Sequence, residues 1–273
     1  LKVLIMGGCG FLGSELALRM KQTFEVTVLD IQRPPPFLVD IDYACFDLNK
    51  DDLSPFIDEA DMLIHCIVIQ VPRINVEPWL GYRTNVLGIQ KVCEAVEESE
   101  ACKAMVHVST HEVGEEHVEE RSRLYQHTKL IQEKIVEWYQ MVGKKRYGIA
   151  RIGTLLGEHM NPNTAAHIFI KNALEGKPVT PYAHSLLRPI HYIDVEDACR
   201  LIQNYAEQVL AGTGAPLVTF TYPTPITILE LAKTVQALTN AEIQVLNPAS
   251  QTGQLTHPTQ TISRIVKAWE IQK

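Results

Sequence analysis

The chain reads as an α/β protein, a doubly wound parallel Rossmann sheet with a smaller C-terminal substrate-binding lobe. Three observations predict it. An apolar run, Val3 to Met6, meets the glycine turn GGCGFLG, and an amphipathic segment begins at Ser14. A second apolar run, Val26 to Leu29, ends on Asp30. Short apolar runs then alternate with helical patterns as far as residue 150, which implies parallel strands covered on both faces.

The first strand, turn and helix form the opening of a dinucleotide-binding βαβ unit. Gly7 lets the chain turn off the strand, Gly10 lets backbone N–H groups approach a pyrophosphate, and Gly13 lets the helix pack closely on the sheet. Phe11 and Leu12 complete the turn. The helix N-terminus directs partial positive charge at the phosphates. Asp30, at the tip of the second strand, is positioned to accept hydrogen bonds from the adenosine ribose and to repel a 2′-phosphate, favouring NAD; a strand-end turn residue before Pro34-Pro35-Pro36 is the alternative. Arg33, three residues on, blurs that preference.

Tyr43 to Phe46 read as a third strand, with Asp47 and Leu48 following where an adenine edge would lie. A short helix from about Asp51 to Glu59 leads to a fourth strand, Met62 to Ile67. A loop with two prolines precedes one long helix from Trp79 to Glu98, and a fifth strand, Ala104 to Val108, ends on Ser109 and Thr110. Ligands belong at the carboxyl ends of such strands.

The next helix carries Tyr125 and Lys129, four apart and so on one face. A phenol is a poor base at neutral pH unless a cation lowers its pKa from about 10. A charge about 4 Å away supplies that, making Tyr125 a usable acid/base. An isolated Y-x-x-x-K is common by chance; its place after a fifth strand ending in Ser/Thr, behind a glycine loop, singles it out.

With these pieces assembled, the chain resembles the extended short-chain dehydrogenase/reductase family, in its epimerase/dehydratase branch. The matching segments are GGCGFLG, Asp30, Asp47-Leu48, the strand ending in His65, Asn85 in TNVLGIQKVCEA, HVSTHEV, YQHTK, Arg151 in RIGTLLGEHM, and RPIHYIDVEDA. The resemblance implies a Thr110, Tyr125, Lys129 triad, bound NAD, Lys129 on the nicotinamide ribose, Asn85 as support, and transient oxidation of a substrate hydroxyl. It also implies a homodimer built on the helices at 79 to 98 and 125 to 139.

The outcome after oxidation turns on Thr110-His111-Glu112. Dehydratases of the family carry Thr-Asp-Glu and UDP-glucuronate decarboxylases Thr-Ser-Glu. Glu112 remains here, while His111 replaces the Asp, as a proton donor or as a plain loop histidine. The interval from Thr110 to Tyr125 is short for the family. Thr154 stands in the segment where sugar-nucleotide members commonly have Asn, and Ile67 and Val68 replace small residues. Arg188 is expected on a substrate diphosphate, or in an ion pair with Asp194 or Glu196.

Residues 1–150 are therefore read as the NAD-binding domain and 151–273 mainly as the substrate lobe, with about 188–205 returning to the first. The activity expected is modification of a nucleotide sugar; the alternatives are a dehydrogenase or reductase of a non-sugar alcohol, and a non-catalytic dinucleotide sensor. A net charge of −7 without a Lys/Arg cluster argues against nucleic acid as a partner. Six scattered cysteines without zinc spacing point to a reducing, cytoplasmic setting and no metal. The first strand begins at residue 2 with no signal-peptide pattern before it, and no apolar run has the length to cross a bilayer.

Overall fold

A computed structural model describes residues 1–115 and 120–247. Seven parallel strands form one sheet: β1 (Lys2–Met6), β2 (Glu25–Asp30), β3 (Asp42–Cys45), β4 (Met62–His65), β5 (Ala104–Thr110), β6 (Arg146–Ile152) and β10 (Leu217–Phe220), in the order β10-β6-β5-β4-β1-β2-β3. The order reverses between β1 and β4, so the loops leaving those strands diverge and open a crevice at their carboxyl ends.

Both faces are covered, which is why the strands read as unbroken apolar runs. Along β1, Val3 and Ile5 enter one core with Leu16, Ala17 and Met20 of α1 (Phe11–Met20) and Cys199 and Ile202 of α8 (Val195–Ala211). Leu4 and Met6 enter the other, with Ile57 of α2 (Ser54–Ile57), Ile89 and Val92 of α5 (Gly88–Glu98), and Val136 of α6 (Arg123–Val142). Burying one such aliphatic side chain stabilises by roughly 1.5–3 kcal/mol.

The fourth strand ends at His65, two residues earlier than its apolar run suggests. The helix expected over 51–59 shortens to α2, because the Asp52 carboxylate accepts from Ser54 N at 3.1 Å and starts it late. The helix expected over 79–98 is likewise not uniform. After the short α3 (Arg73–Val76) come α4 (Pro78–Gly81), a π-helical stretch over Tyr82–Leu87, and α5. The Asn85 carbonyl accepts from Gln132 Nε2 at 2.8 Å, so a side chain on α6 takes an acceptor that a regular helix would use itself.

Beyond β6 lie β7 (Thr154–Leu156), α7 (Ala165–Leu174), β8 (Pro189–Ile190), β9 (Tyr192–Asp194), β11 (Ile226–Thr227) and α9 (Ile228–Thr239). The chain divides into two compact units. One holds Leu1–Ile168 and Pro189–Thr227; the other holds Phe169–Arg188 and, of the described residues, 228–247. In the first unit β7 pairs with β9 and β8 with β11. In the second, isolated bridges join Val179 to Ile243 and Tyr182 to Leu246. The remainder of the expected lobe, 248–273, lies outside the described residues, as do 116–119 in the short interval before Tyr125.

Candidate active site

The glycine turn is built around close approaches. Gly7 has φ +79°, a left-handed conformation, and a Cβ on Gly13 would lie 2.2 Å from the Gly7 carbonyl oxygen. Gly10 caps α1 without a side-chain bond, so no side chain competes for the first-turn amides of Phe11, Leu12 and Gly13. Asp30, 8% exposed, accepts from Cys9 N at 3.0 Å and from Gln32 N at 2.9 Å. Its carboxylate thus ties the tip of β2 to the glycine turn. An uncapped helix N-terminus, a turn that excludes side chains, and a carboxylate at the strand tip together suit a pyrophosphate and an adenosine ribose.

Asp47 closes its own turn. Its carboxylate accepts from Asn49 N at 3.0 Å and pairs with Lys50 at 2.8 Å, and these bonds hold it below the usual carboxylate range. Leu48 is buried in the core, its side chain lying where a Cβ on Gly88 would touch it at 2.7 Å. Both stand at the carboxyl end of β3.

At the tip of β5, the Thr110 side chain stands near enough to the Tyr125 phenol to draw its pKa down, and Thr110 Oγ1 accepts from Glu112 N at 3.3 Å. Gln126 donates to the carbonyls of Glu112 and Glu115, at 2.6 and 2.9 Å, fastening this loop to α6. The structure does not reproduce the expected lowering of the phenol. Burial and the Glu112 carboxylate push Tyr125 above its ordinary value, opposed only by Thr110. The expected cation is engaged elsewhere: Lys129 Nζ donates to Val108 O at 2.7 Å and lies 3.4 Å from His107 Nε2. Burial drives this lysine, 3% exposed, down to about 7.

Asn85 clamps the neighbouring loop. Its side chain accepts from Ile69 N at 2.7 Å and donates to Ile69 O at 3.1 Å and Thr128 Oγ1 at 3.0 Å. Below the site, the fully buried Glu133 accepts from Ser109 Oγ at 2.5 Å and binds Arg151 through both oxygens, at 2.9 and 2.7 Å. Sequence reasoning missed His107, Gln132, Glu133 and His191. The first three had a signal: His107 and Ser109 alternate along one strand, and Gln132 and Glu133 recur one turn after Thr128 and Lys129.

His111 packs on His191 with ring centroids 4.2 Å apart. Burial, then His191, with Arg151 adding to it, pushes His111 below its ordinary value, against the pull of Glu115. At neutral pH it is therefore uncharged and a weak proton donor. Thr154 N donates to His191 O at 2.7 Å, placing Thr154 at the start of β7 in the same unit. Arg188 belongs to the other unit, where its carbonyl accepts from Ile228 N at 3.3 Å.

Fold and site together define a Rossmann-type dinucleotide-binding enzyme. The sequence profile of the NAD dependent epimerase/dehydratase family matches residues 3–215, and the chain belongs to that family. It is 26% identical to UDP-glucuronic acid decarboxylase 1 of Danio rerio over 294 aligned positions, covering 98% of this chain and 68% of the relative. It is 27% identical to an uncharacterized UDP-glucose epimerase, YtcB, of Bacillus subtilis, covering 66% of this chain and 65% of that one. The fold is similar to that of MoeE5 solved with UDP-glucose and NAD, with a TM-score of 0.79 at 20% identity over 93% of this chain and 87% of that one. It is similar also to UDP-glucuronic acid 4-epimerase from Bacillus cereus, with a TM-score of 0.78 at 21% identity over 93% and 88%.

Proposed function

We propose that the protein modifies a nucleotide sugar by transient oxidation of one substrate hydroxyl, with Thr110, Tyr125 and Lys129 as the working set. The observation that carries this is that Thr110 and Glu112, at and just beyond the tip of β5, both act on the Tyr125 phenol, one helical turn from Lys129. Thr110 orients the substrate hydroxyl. Tyr125, as phenolate, removes its proton. NAD, when bound, would supply the hydride acceptor and a positive ring charge that opposes the upward push of burial and Glu112 on the phenol. Lys129 keeps one N–H for the cofactor ribose, since two acceptors, Val108 O and His107 Nε2, are already within reach.

The ketone so formed acidifies the adjacent carbon, which opens epimerisation, elimination or decarboxylation. Glu112 is the carboxylate nearest that chemistry and His111 a contact residue. Phe11, Leu12 and Gly13 amides would hold the pyrophosphate, Asp30 the adenosine ribose, and Asp47 and Leu48 the adenine side. Thr154 and Arg188 are assigned to the substrate, Arg188 to its diphosphate. The exposed apolar side chains Trp79, Leu87, Leu130, Trp138 and Met141 support a homodimer with a second copy. Six unpaired cysteines suit a reducing cytoplasm.

The test is to incubate the protein with UDP-glucose and UDP-glucuronic acid and weigh the products. An isomer, or loss of carbon dioxide, without net NADH is expected; no conversion of either UDP-sugar, with stoichiometric NADH from a non-sugar alcohol instead, would favour the non-sugar alcohol dehydrogenase, the reading to which Ile67 and Val68 in place of small residues belong. Tyr125→Phe should lower turnover at least about a thousandfold while leaving NAD affinity within twofold, read by titration. Retained turnover would remove Tyr125 from the chemistry.

A further inference from the structure

Parallel pairing of β4 with β5 puts His65 directly beside His107 in register. Both imidazoles are fully buried, with Nδ1 of one 3.2 Å from Nδ1 of the other. His107 Nε2 faces Lys129 Nζ at 3.4 Å, while His65 Nε2 is buried without a hydrogen-bond partner among the described residues. Two imidazoles and an ammonium therefore run in a line from the interior of the sheet to the site.

We propose that His107, oriented by His65, is a positioning residue for Lys129: the neutral imidazole pair anchors the ammonium from the sheet side and cannot accept its proton. The proposal rests on the reading of Lys129 as the cationic partner of Tyr125.

The tautomers follow from donor counting. An ammonium only donates, so His107 Nε2 presents a lone pair and His107 carries its proton on Nδ1. That proton is donated to His65 Nδ1, which leaves the His65 proton on Nε2. A proton entering this line from Lys129 would have to leave at His65 Nε2, where no acceptor stands among the described residues, or remain as a buried imidazolium. Burial and the Lys129 charge oppose the second outcome, pushing His65 down to about 3 and His107 well below its ordinary value. The other titratable groups acting on Lys129 are Cys66, from the end of β4, and Glu133, from its own helix; both favour its charged form. With Val108 O and His107 holding two N–H groups, the ammonium keeps one fixed direction towards the cleft.

The experiment uses the full chain without substrate. Nitrogen-15 NMR of the histidines reads the tautomers, and carbon-13 NMR of labelled lysine reads the Lys129 titration in wild type, His107→Phe and His107→Gln. Expected are an Nδ1–H tautomer at His107, a Lys129 midpoint about one pH unit lower in His107→Phe, and a midpoint close to wild type in His107→Gln, whose amide oxygen accepts in place of Nε2. The alkaline limb of kcat, measured on whichever UDP-sugar turns over, should move with the midpoint, because activity needs the ammonium. An Nε2–H tautomer at His107, or an unmoved midpoint in a folded His107→Phe, overturns the proposal; if that variant does not fold, the wild-type tautomer decides alone. Full activity in Tyr125→Phe would instead overturn the reading of the site and leave the tautomer result standing.

Discussion

Lys129 makes stability depend on pH through one atom. Its ordinary value of 10.5 falls to about 7 in the folded chain, so between those values the unfolded state binds more protons and stability rises with pH. The burial penalty is fully present below about 7 and gone above about 10.5. Lys129→Met removes it: chemical denaturation should show a gain of stability over wild type at pH 7 that shrinks steadily by pH 9. Asp30 acts at the same scale but through geometry. Asp30→Ala should relax the preference for NAD over NADP in a binding titration, and should also loosen the glycine turn, since Cys9 N loses its acceptor. Unchanged discrimination would take Asp30 off the ribose.

Helix α6 brings most of the site together because successive turns face one way. Tyr125 meets Thr110, Thr128 meets Asn85, Lys129 meets His107, Gln132 meets the Asn85 carbonyl, and Glu133 meets Ser109 and Arg151. Breaking the last contact leaves Arg151 without its carboxylate, and because the Arg151 side chain is 23% exposed and regains some water, the cost falls below the about 3–5 kcal/mol of a fully buried pair. Glu133→Ala should therefore lower the denaturation midpoint, with Arg151→Met, Glu133→Leu together recovering part of the loss. Tyr125 and Lys129 were legible as a pair from their spacing together with their place after a fifth strand ending in Ser/Thr, behind the glycine loop. Their energetics were not, because the Lys129 charge is met by a backbone carbonyl and an imidazole from β5. The π-helical stretch at Tyr82–Leu87 was equally hidden, since the side chain that binds its Asn85 carbonyl, Gln132, lies far along the chain on α6.

At the scale of the molecule, α6 and the segment before α5 carry large exposed apolar side chains. Leu87 and Trp138 are 58% and 56% exposed. If a second copy covers this face, Leu87→Glu with Trp138→Glu should convert a dimer to a monomer by sedimentation velocity, with little change in intrachain packing. A wild-type monomer at micromolar concentration would sink the dimer.

The apolar runs, the glycine turn, the acid at the tip of β2 and the strand-helix alternation determined the Rossmann sheet and its cofactor crevice without any coordinates. Each is a local pattern, set by side-chain period or by backbone sterics within a few residues. Only the tertiary structure decided where Lys129 spends its hydrogen bonds, which way the Tyr125 phenol is pushed, that His65 stands against His107, and that Glu133 stands against Arg151. Those depend on burial and on neighbours brought in register across strands far apart in the chain, and distance along the sequence carries no record of either.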